Sequence, residues 1–220
     1  MNDERYLRQH EIIPPEKLAT CRVTVIGVGA IGRQVALQCT AMGVPWLQLI
    51  DPDIVEPVNL GCQGYLEDDV GRTKVNATGD LCHQTQHQLE LYEEATRFRR
   101  SMKIGNVVFC CVDSIQVRAL IWNTVKDQVQ FFGDGRMSAE VIRIVTACDE
   151  NSRAHYPTTL FRSEEAYRGS CTAKSTIFTA NIAAGFMLEQ FSRWLRCFPV
   201  DMDLQLNLLA SELAISNCNH

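Results

Sequence analysis

The sequence predicts an α/β fold: a doubly wound, mostly parallel Rossmann-like sheet with helices on both faces. Three observations carry this expectation. Strand-length apolar runs alternate with segments of helical period, as in successive strand–helix–strand units. The first run, Arg22-Val-Thr-Val-Ile26, is rich in β-branched residues, as suits a strand covered on both sides. It breaks directly into Gly27-Val-Gly29-Ala-Ile-Gly32, a glycine loop placed where a strand hands over to a helix.

The elements follow in order. Residues 1–20 form a charged, helix-compatible arm in which Pro14-Pro15 turns the chain and starts a new helix. After the first strand, Ala30 to Met42 has helical spacing (Ile31, Val35, Cys39, Met42) and stops at Gly43, a C-cap. Trp46 to Asp51 is the second strand, 52–68 reads as loop, Val70 to His83 as a helix, and Leu89 to Ala95 as a third strand. Asn106 to Cys111 is a strand leading to Asp113, followed by a helix over Ile115 to Val129. Val129 to Asp134 and Glu140 to Thr146 are further strands. Asn151 to Ser170 is loop-rich, Thr172 to Leu195 is a long helix, and alternating Leu204, Leu206 and Leu208 suit an edge strand.

Composition narrows the classes. With 220 residues the chain is long enough for one full core. We expect a single domain: arm 1–20, nucleotide-binding core 21–198 and tail 199–220. A formal charge of −5 argues against a nucleic-acid binder. The most apolar stretch, 177–195, is interrupted by Asn181, Glu189, Gln190 and Arg193, and the charged start is no signal segment, so the expectation is a soluble, cytoplasmic protein without a membrane partner. The ten cysteines contain no C-x-x-C pair, so neither a zinc ribbon nor a disulfide framework is expected.

Gly27, Gly29 and Gly32 permit a tight turn, close approach of backbone to phosphate, and close packing of helix on strand. Phosphate then meets free N–H groups at the positive end of the helix. Asp51 closes the second strand, where a carboxylate can hold ribose hydroxyls. These residues indicate a nucleotide without choosing NAD from ATP.

The next segments make that choice. Asp51-Pro-Asp53-Ile-Val with Asn59-Leu60-Gly-Cys62-Gln63, followed by Gly71-Arg-Thr-Lys74, resembles the ThiF/MoeB-type superfamily of ubiquitin-like-protein-activating enzymes, whose pattern is D-x-D-x-V-x-x-x-N-L-x-R-Q and then G-x-x-K-A. Arg5-Tyr-Leu-Arg8-Gln9 resembles that family's R-Y-x-R-Q opening. Cys111-Val-Asp113-Ser with Arg118 resembles its C-x-D-N segment and following arginine, and Gly169-Ser-Cys171 resembles the acceptor-cysteine position of its short members.

The resemblance implies ATP-dependent adenylation of the C-terminal carboxylate of a small ubiquitin-like or sulfur-carrier protein. A carboxylate is already nucleophilic, so catalysis becomes positioning and neutralisation of phosphate charge. Lys74 and Arg8 supply positive charge, Asp113 holds Mg²⁺, Asn59 and Gln63 bond phosphates or nearby backbone, and Asp53 orients the site. In the family the arginine matching Arg8 crosses from the partner subunit, which implies a homodimer. Cys171 would then take the acyl group as a thioester, with a conjugating or sulfur-transfer protein downstream. Each residue also has an ordinary reading: Arg8 as surface charge, Lys74 as a solvated helix residue, Asp113 as a strand-end cap, Cys171 as a buried thiol.

Two departures stand out. The second phosphate-facing arginine of the family is Cys62 here, for which Arg33 or Arg72 would have to compensate, and the paired zinc cysteines are absent. Two alternatives stay open: a non-catalytic partner subunit of such an enzyme, which would explain Cys62, and an NAD-dependent oxidoreductase using the same glycine loop.

Overall fold

The computed structural model describes residues 4–160 and 175–216. Arg22–Ile26 (β1) leads through the glycine loop into Ala30–Met42 (α2), the first long helix after a single turn at Pro15–Leu18 (α1). Trp46–Ile50 (β2), Pro57–Gln63 (α3), Lys74–Thr85 (α4) and Glu90–Glu94 (β3) complete the first half. The second half runs Val107–Cys110 (β4), Ile115–Val125 (α5), Phe131–Ser138 (β5), Val141–Ala147 (β6), Glu150–His155 (α6), Ile177–Leu195 (α7), Asp203–Asn207 (β7) and Glu212–Ser216 (β8).

The eight strands of the described residues form one sheet in the order β3-β2-β1-β4-β5-β6-β7-β8. The strands from β3 to β5 pair in parallel and those from β5 to β8 antiparallel. The sheet is mostly parallel and doubly wound, as expected, with four parallel pairings around the glycine loop and an antiparallel extension beyond β5. The order reverses between β1 and β4, and such a switch point opens a crevice at the carboxyl ends of the strands.

Alternation along the strands builds two cores. Val23, Val25, Leu47, Leu49, Val107, Phe109 and Phe131 face the layer of α2, α4 and α7. Ile26, Ile50, Val108, Cys110 and Phe132 face the layer of α5, where Trp122, Val125 and Tyr156 meet them. Because both faces are covered, these strands are apolar at nearly every position. Phe109, Phe131, Phe191 and Trp194 pack with centroids 5.4–5.9 Å apart on the first side, edge-on or tilted except for Phe191 and Trp194, which stack. Phe109, Phe131 and Phe191 are fully buried, and large aromatic side chains of this kind dominate core burial energetics.

Several boundaries differ from expectation. Residues 52–68 are not all loop: Pro57 opens α3, and the Asn59 side-chain oxygen accepts the Glu56 backbone N–H at 2.9 Å, capping it. The helix expected from Val70 starts at Lys74, where the Thr73 side chain accepts from the Asn76 N–H. The expected loop from Asn151 opens with α6 instead, whose first turn Asp149 caps through the Ser152 N–H at 2.8 Å. The helix on 115–129 ends at Val125, and the long helix expected from Thr172 begins at Ile177 behind the capping Thr176. The leucine-alternating tail is an inner strand, β7, because β8 pairs outside it. Among the described residues no helix is long and apolar enough to cross a membrane.

Candidate active site

The crevice at the switch point is a cavity of about 790 Å³. Its wall holds Gly27 and Gly29, Asp51 and Asp53, Gln63, Lys74 and Asp113, which come from five separate stretches of chain. Two residues expected in the site lie behind it. Asn59 caps α3 as described, and Gly32 packs beneath the loop: a Cβ there would sit 1.8 Å from the Gly27 carbonyl oxygen. Gly27 is equally constrained, with φ +87° and a virtual Cβ only 2.8 Å from the Cys111 backbone. Gly29 differs, since a Cβ on it would meet nothing nearer than the Gln63 side-chain oxygen at 3.9 Å and would project toward the cavity. It leaves a cradle open at the start of α2, where free N–H groups and the helix dipole favour an anion.

Asp51 is 5% exposed and braces this loop. One carboxylate oxygen accepts the Val28 N–H at 2.6 Å and the other accepts the Asp53 N–H at 2.8 Å. Burial raises its pKa, against the opposing pull of those two backbone donors. Lys74 begins α4 with its chain buried, and its ammonium meets Asp53 at 3.0 Å. The Asp53 side chain is largely exposed, so solvent screens that pair and a stronger anion can compete for the lysine. Asp113 follows β4 with an exposed carboxylate that has no hydrogen bond or ion pair among the described residues. Gln63 carries a buried side-chain oxygen without any partner, 3.9 Å from that virtual Cβ on Gly29. A buried orphan polar atom facing a cavity calls for a polar ligand. The cradle and the orphan both fit a nucleotide.

Below the cavity lies a network that sequence reasoning did not reach. Asp134, fully buried, ion-pairs with Arg118 and Arg136 and accepts the Tyr156 hydroxyl at 2.7 Å. Arg118 also donates to the carbonyls of Val112 and Gly135, so it ties β5 to the segment carrying Asp113. Two guanidiniums against one carboxylate leave the floor with net positive charge.

The remaining expectations fall elsewhere. Cys62 points its thiol back along α3 to the Val58 carbonyl at 3.3 Å and does not line the cavity. Neither arginine proposed to compensate reaches the site. Arg33 lies over the Tyr65 ring and donates to the Gly64 carbonyl at 2.9 Å and to Thr78 at 3.1 Å, and burial lowers its pKa. Arg72 is held by Asp69 and Asp80. Arg8 is exposed on the turn Glu4–Gln9, whose Gln9 side chain bonds the Met42 carbonyl at 2.7 Å, at the far end of α2 from the glycine loop. Thirteen residues of helix separate those ends by about 20 Å, so Arg8 does not belong to its own chain's cavity. Cys171 lies outside the described residues. Among the described residues no group of three His, Cys, Asp or Glu side chains is placed to hold a metal ion.

Arg97 and Phe98, by contrast, line the cavity, although as a basic run Arg97-Phe-Arg-Arg100 suits either a solvated face or a contact with a partner protein. The available signal was topological: residues just past the carboxyl end of a parallel strand beside a switch point face the crevice.

The sheet order, glycine loop and switch-point crevice define a Rossmann-like α/β domain. The chain belongs to the ThiF family, whose model matches residues 8–204. It is 28% identical over 218 residues to the ubiquitin-like modifier-activating enzyme 5 of Caenorhabditis briggsae, covering 83% of this chain and 48% of the relative. It is 26% identical over 155 residues to the NEDD8-activating enzyme E1 catalytic subunit of Caenorhabditis elegans, covering 64% and 35%. It is 33% identical over 96 residues to the adenylyltransferase and sulfurtransferase MOCS3-1 of Zea mays, covering 40% and 20%. The chain thus spans less than half the length of these curated relatives. Among solved structures, PaaA superposes with a TM-score of 0.81 at 19% identity, over 97% of this chain and 72% of that one. MccB of E. coli, solved with ATP, gives 0.77 at 15% identity over 100% and 73%. At these identities the likeness is one of fold.

Proposed function

We propose that the protein is an ATP-dependent adenylating enzyme acting on the C-terminal carboxylate of a small ubiquitin-like or sulfur-carrier protein. One observation carries the reading: in a ThiF-family chain, Gly29, Asp51, Gln63, Lys74 and Asp113 converge from separate elements on one cavity. The carrier's carboxylate oxygen attacks the α-phosphorus of ATP, the bond from that phosphorus to the bridging oxygen breaks, and pyrophosphate leaves with an acyl-adenylate formed. No general base is needed. The start of α2 and Lys74 receive phosphate charge, Lys74 exchanging Asp53 for phosphate, while Asp51 holds the loop and offers its remaining lone pairs to the ribose. Electrostatic preorganisation of this kind is the main source of rate when charge develops on a leaving group.

Asp113 is the residue that would hold Mg²⁺, a cation that commonly binds proteins through one or two carboxylates and takes its other ligands from phosphate and water. When bound, it would screen the phosphate oxygens. Arg8 would act on the cavity of a second copy, which makes a homodimer part of this proposal. Transfer of the acyl group to the Cys171 thiolate, with AMP leaving, is the proposed following step.

The test is ATP–pyrophosphate exchange with candidate carriers ending in Gly-Gly. Exchange is expected in the wild type and a fall of about 100-fold in Lys74→Ala and in Asp113→Ala. Exchange untouched by both substitutions would sink the proposal. A second reading, a non-catalytic partner subunit, is favoured by Cys62 and by the two engaged arginines, Arg33 and Arg72. Bound ATP without exchange for any carrier would decide for it.

A further inference from the structure

The cavity has two unlike halves. The glycine cradle, Gln63, Lys74 and Asp113 mark the polar one, and Ile26, Ile50 and Phe98, which pack together in the second core, mark the apolar one with Pro52 and Leu120. Asp51, at the carboxyl end of β2, lies between them in chain topology. A nucleotide with phosphates at the cradle and ribose at Asp51 would place its base in the apolar half. Arg97 stands on that half, just past β3.

Arg97 is the uncommitted cation of this wall. Arg118 is saturated by Asp134 and carbonyls, and Lys74 is paired with Asp53. Arg97 is exposed and makes no hydrogen bond or ion pair among the described residues. Its backbone is nevertheless anchored, because the next residue, Phe98, is 9% exposed and belongs to the second core. A planar guanidinium stacks favourably on an aromatic face, and Ile50, Pro52 and Phe98 of the same cavity wall offer apolar surface to a base.

We propose that Arg97 is a base-contacting residue of the nucleotide site, its guanidinium closing over the purine against the wall formed by Pro52 and Phe98. The proposal rests on the nucleotide reading of the cavity. It assigns Arg97 to binding of the nucleoside part, and not to the phosphates whose arginine is missing at Cys62.

Calorimetric titration of the full chain with adenosine, AMP and ATP tests it. Arg97→Ala is expected to weaken all three by the same factor, about tenfold. Arg97→Lys is expected to recover part of the loss, and Arg100→Ala, in the same basic run but outside the cavity wall, to stay within about twofold of wild type. Unchanged affinities in Arg97→Ala would overturn the proposal. A loss confined to ATP would overturn it too, because it would place Arg97 on the β- and γ-phosphates. An equal loss in Arg100→Ala would reduce the effect to loop charge and overturn it likewise. A wild type that binds none of the three overturns the nucleotide reading itself and Arg97's role with it.

Discussion

Replacing Gly32 with alanine sets two effects of opposite sign against each other. Alanine is favoured over glycine inside a helix by about 1 kcal/mol, because glycine sacrifices more backbone freedom on folding. Gly185 in α7 isolates that gain, since a Cβ there meets nothing within 4 Å. At Gly32 the added carbon would stand 1.8 Å from the Gly27 carbonyl oxygen and 3.1 Å from the Cys111 Cβ. Ordinary contact needs the carbonyl to retreat by about 1.5 Å or more. The Gly27 segment resists, because its N–H is tied to the Ile50 carbonyl at 2.9 Å and it lies against the Cys111 backbone. Overpacking of this kind costs about 3 kcal/mol, so the clash outweighs the propensity gain. Urea unfolding is expected to show Gly185→Ala about 1 kcal/mol more stable than wild type and Gly32→Ala about 2 kcal/mol less stable. Gly32→Ala is also expected to lose nucleotide binding, because the displaced loop is the cradle. Equal stabilisation by both substitutions, with nucleotide binding retained in Gly32→Ala, would refute this account of the loop.

Two further outcomes follow from buried charge. Asp134→Ala leaves two guanidiniums without their shared carboxylate, and chemical unfolding should register a loss of about 3–5 kcal/mol; a variant within 1 kcal/mol of wild type would remove Asp134 from its bracing role. At Asp203, burial would raise the carboxyl pKa, but hydrogen bonds from Arg143 and His155 prevail and hold it below the usual carboxylate value of 3.8. Its stabilisation is therefore present above about pH 4 and lost as pH falls through the lowered value. Asp203→Asn should be less stable than wild type by about 1–2 kcal/mol at neutral pH, given a partly exposed Arg143, with the gap closing as pH falls below about 4. A gap independent of pH would show that shape, not charge, matters there.

How much was legible varied with the kind of signal. The helix Ala30–Met42 matched its expected ends because both signals are local: the glycine loop before it and Gly43, which adopts φ +95°, after it. The strand on 89–95 was also legible, as Glu90–Glu94. α3 was missed because its 7 residues are too short to show a period, and its start depends on Asn59 folding back on Glu56. Of the two roles expected for Asn59, bonding phosphate or nearby backbone, that contact is the second, and it leaves the side chain off the cavity wall. Arg33 and Arg72 looked interchangeable as substitutes for the missing arginine until their partners were visible: one is spent on Gly64 and Thr78, the other on Asp69 and Asp80.

The sequence by itself determined the fold class, the family and the list of polar groups a phosphate chemistry would need, because these are carried by short-range spacing: glycines at a strand end, a carboxylate closing the next strand, a lysine opening a helix. Which of those groups meet was decided only by the tertiary structure. The sheet order puts β1 beside both β2 and β4, so Asp51 and Asp113, far apart in the chain, flank one cavity, and the parallel register brings Arg97 to its apolar half. The same order sends Arg8 to the far end of α2, because a helix has length and the arm packs where it ends. Side-chain partnership depends on long-range packing, and no spacing rule along the chain encodes it.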